Sequence, residues 1–130
     1  MLVVDASVAV TACLASDGFQ SLAEQELVAP PLLWPESRSA LHMLAFRGEA
    51  ASDSACAAAE RLDTAPIEIR APRELGREAW RVADQLGWAR TYDAEYVALA
   101  YILDCRVVTL DERLRRGTDR LGLVVSPTEL

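Results

Sequence analysis

The chain has 130 residues, with 20 acids against 13 arginines, no lysine, one histidine, a net charge of −7 and 52% hydrophobic residues. That length predicts one domain over residues 1–130 with its own core, and the acidic balance counts against passive, charge-driven binding of nucleic acid. No apolar run reaches the ~18 residues a membrane helix needs, no basic stretch precedes the first apolar residues as in a signal peptide, and Cys13, Cys56 and Cys105 lack the C-x-x-C pairing of a zinc site and the even number of a disulfide framework.

A reducing, cytoplasmic setting is therefore expected. The charge is uneven: residues 1–60 carry two arginines against eight acids, and residues 61–130 eleven against twelve.

In chain order, the first apolar run is Leu2-Val3-Val4, β-branched as in a strand buried on both faces. It ends in Asp5, which predicts a strand over 2–5, and small residues and a further apolar run follow. A second strand is expected at 28–30. Over 33–47, Leu33, Ala40, Leu41 and Leu44 form a helical stripe, and Glu36 lies on that stripe three residues after Leu33. Residues 50–62 are Ala-rich and helix-prone, bracketed by Gly48 and Pro66. A third strand is expected at 66–70, then a helix over 73–86 with Leu75, Ala79, Val82, Ala83 and Leu86 on one face and Gly87 as its stop. The clearest helix covers 92–105, with Ala94, Val97, Ala98, Tyr101, Ile102 and Cys105 on one face and Asp93 at its opening. Strands at 106–110 and 122–125 complete the chain, and Asp111 follows the first of these in VVTLDERL. Strands alternating with helices predict a layered α/β sandwich with a mainly parallel central sheet. Ligands bind such sheets outside the carboxyl ends of the strands.

Four acids fall in unusual places. Asp5 and Asp111 each end a strand, at one edge of a parallel sheet. Glu36 sits on an inward helix face, where an unpaired charge is expensive. Asp93 borders the apolar stripe of its helix. Each also has an ordinary reading: Asp5, Asp93 and Asp111 as helix caps, and Glu36 as the partner of an arginine. Two carboxylates 4 Å apart repel by about 4 kcal/mol at an effective dielectric near 20. Four converging on one cleft would not ionise together without a cation. Oxygen-only ligands select hard ions, Mg²⁺ or Mn²⁺, and such a site fits phosphodiester hydrolysis without a catalytic His or Lys.

The stretches VVDAS, PLLWPESRSAL, TYDAEYVALA and VVTLDERL resemble, in order, the motifs of PIN-domain ribonucleases, and among them the small stand-alone VapC toxins of bacterial toxin–antitoxin modules. The resemblance spans Leu2 to about Val125, and YDAEYVALA, preceded by Thr91, is its most specific part. It implies a single PIN-like three-layer α/β/α domain. It implies that Asp5, Glu36, Asp93 and Asp111 are the acidic Mg²⁺- or Mn²⁺-binding quartet, with Asp5 and Asp93 as central ligands. Ser7 and Thr109 would be hydroxyls that position ligands or water. It further implies an endoribonuclease acting on RNA, a homodimer, and a VapB-type antitoxin whose C-terminal segment covers the site. One position departs from the pattern: Ser39 stands three residues after the motif glutamate, where the family often has Asn, which implies altered metal geometry or activity.

Arg38, Arg90, Arg113, Arg115 and Arg116 are candidate phosphate contacts, each also explicable as a solvated or ion-paired surface residue. Trp34, Trp80 and Trp88 are candidates for base stacking or for packing, and His42 for helix packing. A competing reading is a catalytically weak or inactive PIN-like module that binds RNA or protein. An aspartyl phosphotransferase built on Asp5 would need a lysine the chain lacks and a second Asp where Ser7 stands.

Overall fold

The computed structural model describes all 130 residues. The N-terminal run forms strand β1 (Leu2–Val4), buried throughout and central in the sheet. Helix α1 (Ala6–Leu14) follows at once, because Asp5 caps it: the Val8 N–H donates to Asp5 Oδ1 at 3.1 Å. Then come β2 (Leu27–Ala29), α2 (Leu33–Phe46), α3 (Ser52–Asp63), β3 (Glu68–Ile69), α4 (Leu75–Leu86), α5 (Tyr92–Leu103), β4 (Arg106–Val108), α6 (Glu112–Gly117) and β5 (Val124–Val125). The sheet has the order β3-β2-β1-β4-β5 and every neighbouring pair is parallel.

The helices expected from apolar periodicity are present within two residues at each end. Helix α1 offers no stripe to read: ASVAVTACL is apolar nearly all round, as a helix packed on several sides must be. Four of the five strands are shorter than expected, and β2 keeps its expected length but starts one residue earlier, at Leu27. Pro66 has no N–H to give a ladder, so β3 is reduced to two residues at an edge. Gly122 takes a left-handed turn at φ 67° and delays β5 to Val124.

The strand order fixes the layers. Parallel crossovers are right-handed. The chain moves outward from β1 through β2 to β3, which puts α1, α2 and α3 on one face. It then returns past β1 to β4 and β5, which puts α4, α5 and α6 on the other. The packing agrees: α2 and α1 both pack on α3, and α4 packs on α5. Connections leave β1 and β4 in opposite directions, so a crevice opens between their carboxyl ends, the switch point where such sheets bind ligands. Asp5 directly follows β1, and Asp111 lies three residues beyond β4, which ends at Val108 and not at the expected residue 110.

Candidate active site

Asp5 is held by three donors. Ser7 Oγ donates to Oδ1 at 2.6 Å, the Val8 N–H donates to the same oxygen, and Thr109 Oγ1 donates to Oδ2. Ser7 Oγ also accepts from the Leu110 N–H at 2.9 Å, and Thr109 Oγ1 accepts from the Asp111 N–H at 2.9 Å. The two hydroxyls lie 3.3 Å apart. Each has one proton, already given to Asp5, so this approach is a contact and not a hydrogen bond. Ser7 and Thr109 thus lash the end of β1 to the end of β4 through the Asp5 carboxylate. Burial pushes Asp5 above its ordinary value, and the three donors pull in the opposite direction.

Asp111 caps α6: its Oδ1 accepts from the Arg113 N–H at 2.9 Å and the Leu114 N–H at 3.4 Å. The Arg113 guanidinium lies 3.5 Å from Oδ2. Asp93 is no cap. Helix α5 begins with Thr91 in the cap position, and Asp93 sits in the first turn. Glu36 occupies the first turn of α2 and pairs with no arginine. Neither the Glu36 nor the Asp93 carboxylate accepts a hydrogen bond, although the Glu36 N–H donates to Leu32 O at 3.1 Å.

All four acids, with Ser7, line one cavity of about 350 Å³, whose opposite wall is Val10, Ala40, Met43 and Leu44 from α1 and α2, with Arg47 at its end. Within it the charges feel one another. Desolvation first, then Asp93 and Asp5, push the Glu36 carboxyl up to about 7. Asp93 is also raised, by desolvation and then by Asp111, with Arg113 opposing. Asp93 is exposed over the residue as a whole.

No three of the His, Cys, Asp and Glu side chains converge closely enough, as placed, to ligate one ion. The donor set nevertheless fits a hard divalent cation. It is all oxygen, it lines a single cavity, and Glu36 and Asp93 have no protein cation bonded to them. Mutual repulsion at short range keeps such carboxylates apart, and a divalent charge is what would relieve it.

A second cavity, of about 570 Å³, adjoins the first and shares Glu36 and Asp93 with it; Trp88, Arg90, Tyr92 and Arg113 line its sides. Of the arginines singled out in the sequence, only Arg90 and Arg113 reach these cavities. Arg38 pairs with Asp63 at 3.5 Å, because two residues beyond Glu36 is about 200° around the helix. Arg115 is bonded to Glu129, and Arg116 lies 4.0 Å from Glu112. Ser39 is exposed and lines neither cavity, so its place is outside the acid cluster. His42 lines a separate hollow between α2 and α3. Trp34 packs against the core, and Trp80 is 67% exposed.

Two site residues were not singled out from the sequence. Tyr96 is fully buried and its hydroxyl has no hydrogen-bond partner, though it lies near enough to Glu36, Asp5 and Asp93 for burial and their charges to push it well up. The signal was its place one turn after Asp93. Arg47 continues the row Glu36, Ala40, Met43, Arg47 down one side of α2, a row with helical spacing.

A five-stranded parallel sheet in this order, with four carboxylates at its switch point, places the chain in the PIN-domain class. It is 35% identical over 116 residues to the VapC ribonuclease Mb0985 of Mycobacterium bovis and, at the same identity, to ribonuclease VapC9 of Mycobacterium tuberculosis, covering 88% of this chain and 88% of each relative. The crystal structure of PAE2754 from Pyrobaculum aerophilum superposes with a TM-score of 0.76 over 98% of this chain and 91% of that one, at 23% identity, and so speaks for the fold. No protein-family model matches the chain. The chain belongs to the VapC ribonuclease family.

Proposed function

We propose that the protein is a Mg²⁺- or Mn²⁺-dependent endoribonuclease and the toxin of a toxin–antitoxin pair. The observation that carries this reading is the single cavity lined by Asp5, Glu36, Asp93 and Asp111 at the β1–β4 switch point, in a chain whose relatives bear the name VapC ribonuclease. When bound, the cation supplies Lewis-acid activation of water and neutralises charge on the phosphate. Asp5 and Asp93 would be its central ligands, with Glu36 and Asp111 completing the set. Ser7, Thr109 and the Val8 N–H fix the Asp5 carboxylate in advance, so its orientation needs no rearrangement on binding. Glu36, held near 7 without a cation, exchanges a proton close to neutral pH. No histidine or lysine lies in the cavity, so a metal-activated water is the nucleophile this reading expects, and the chemistry of the product ends tests it.

An acidic cleft also suits a partner with basic residues in the segment that covers it, which supports a VapB-type antitoxin. Exposed Phe46 and Trp80 offer apolar surface for a homodimer. No helix is long and apolar enough to cross a membrane.

The test is cleavage of total cellular RNA by the purified chain in Mg²⁺, Mn²⁺ or EDTA, alongside Asp93→Asn. The reading expects metal-dependent cuts bearing 5′-phosphate and 3′-hydroxyl ends, lost in EDTA and in the variant. Cyclic phosphate ends, or cuts that survive in Asp93→Asn, refute it. Metal binding without turnover on any RNA would favour the non-catalytic module.

A further inference from the structure

We infer that the larger cavity beside the acids is a subsite for one unpaired nucleotide of the RNA strand, its base against Tyr92 and its flanking phosphates on Arg90 and Arg113. The inference rests on the ribonuclease reading and adds to it the residues of this chain that hold the strand beside the acids. The cavity shares Glu36 and Asp93 with the four-acid cavity, so a group that fills it lies next to the reacting phosphate.

Its walls are built for a flat neutral group with anionic ends. Gly87, left-handed at φ 71°, stops α4 and swings the chain into the loop that carries Trp88 and Arg90 and leads to Tyr92, the first residue of α5. Trp88 is half-buried and fixed: a methyl group at Gly117 would lie 3.2 Å from its Cζ2, so the indole edge rests on the α6 backbone as a rigid side wall. Tyr92, by contrast, lines the cavity while 60% exposed, an aromatic side chain largely open to solvent.

The cavity carries charges of both signs. Glu36 and Asp93 are common to both cavities, whereas Arg90 and Arg113 line this one alone and are exposed. Arg90 makes no ion pair and no hydrogen bond, in a protein with 20 acids and 13 arginines. Arg113 has only its 3.5 Å approach to Asp111, and its side chain is 92% exposed. An anionic peptide would meet Glu36 and Asp93, and a basic one would meet the two arginines. A nucleotide satisfies both, with an uncharged base against Tyr92 and its anionic phosphates on the two arginines. Stacking on an open aromatic face requires a base out of a duplex.

The experiment uses the full chain carrying Asp5→Asn, which stops cleavage without touching this cavity. Binding of a fluorescein-labelled random-sequence single-stranded octaribonucleotide, and of a blunt RNA duplex, is followed by anisotropy in Mn²⁺. Adding Tyr92→Ala should weaken single-strand binding about tenfold, and Tyr92→Phe should restore it. Adding Arg90→Ala should weaken it and flatten the salt dependence by roughly one phosphate contact. Arg106→Ala, exposed at the opposite end of β4, should change nothing. Unchanged single-strand affinity in Tyr92→Ala and Arg90→Ala overturns the subsite, as does equal loss on duplex and single strand. Cleavage of total RNA by the unmodified chain separates the two readings. If it cuts while those variants bind normally, only the subsite falls. If it neither cuts nor binds RNA but takes up a basic peptide, the ribonuclease reading falls and the subsite falls with it.

Discussion

Glu36 should make the metal-free protein less stable as pH rises from 5 to 8. The folded chain holds its proton up to about 7, against an ordinary 4.5, so the folded state binds that proton more tightly than the unfolded state. The stability this proton confers is fully present below about 4.5 and is lost as pH rises through about 7. The difference corresponds to ~3 kcal/mol, which solvent access to a half-buried group reduces to about 1–2 kcal/mol. For a chain of this length that is a fall in Tm of about 4–7 °C. Burial also raises Asp5, Asp93 and Glu95, and each lowers stability with the same sign as pH rises from its ordinary value through its raised one. The assay is calorimetry in EDTA at half-unit steps of pH, on the parent and on Glu36→Gln. The variant should match the parent at pH 5, exceed it at pH 8, and show a flatter profile between. A Glu36→Gln profile parallel to the parent's, or a parental Tm that climbs from pH 5 to 8, refutes the account of the cavity as a set of desolvated, mutually repelling carboxylates.

Other substitutions separate holding from chemistry. Asp93→Asn removes a charge that no protein hydrogen bond stabilises, so its Tm should equal or exceed the parent's while RNA cleavage disappears; a clear loss of Tm would show that Asp93 is structural. Asp5→Ala should cost about 2–3 kcal/mol in denaturant melts, because it strands the Val8 N–H and the Ser7 and Thr109 hydroxyls; a cost under ~0.5 kcal/mol would mean the network carries nothing. Tyr96→Phe should raise stability by about 1 kcal/mol, since it deletes a buried hydroxyl without a partner; a fall would show that the hydroxyl bonds to Glu36 in solution.

Much of the site was legible because it is built at element ends. A strand's end can be read where an apolar β-branched run meets an acid, and that gave Asp5 and Asp111. An acid on a helical stripe breaks the pattern visibly, and that gave Glu36. What the sequence concealed depends on long-range register. That Ser7 bonds the Leu110 N–H follows from β1 pairing with β4 across about a hundred residues, and nothing local to either strand announces it. The arginines divide for the same reason. Arg38 could have been set aside by helix geometry alone, but Arg115 is taken by Glu129, a partner that arrives only when the chain's end folds back. Tyr96 reads as core, and it is core; only the structure shows its hydroxyl left without a partner near the acids.

The sequence also posed capping and metal binding as alternatives for three of the acids, and the geometry divides the four differently. Asp5 and Asp111 do cap helices, and both accept backbone N–H groups that hold their carboxylates in place. Glu36 and Asp93 lie in the first turns of their helices, and their carboxylates accept no hydrogen bond. The strand-end pair is therefore fixed by the fold and the helix pair is not. Capping at Asp5 and Asp111 supplies orientation, the property a ligand set needs before its ion arrives. The absence of partners at Glu36 and Asp93 leaves negative charge that no protein group offsets, which is the source of affinity for a cation. On this division, truncating a fixed acid to alanine should damage folding and metal binding together, whereas neutralising a free one should damage metal binding alone. Paired measurements of Tm and Mn²⁺ affinity on Asp5→Ala and Asp93→Asn therefore test the arrangement as a whole, and equal behaviour of the two variants would contradict it.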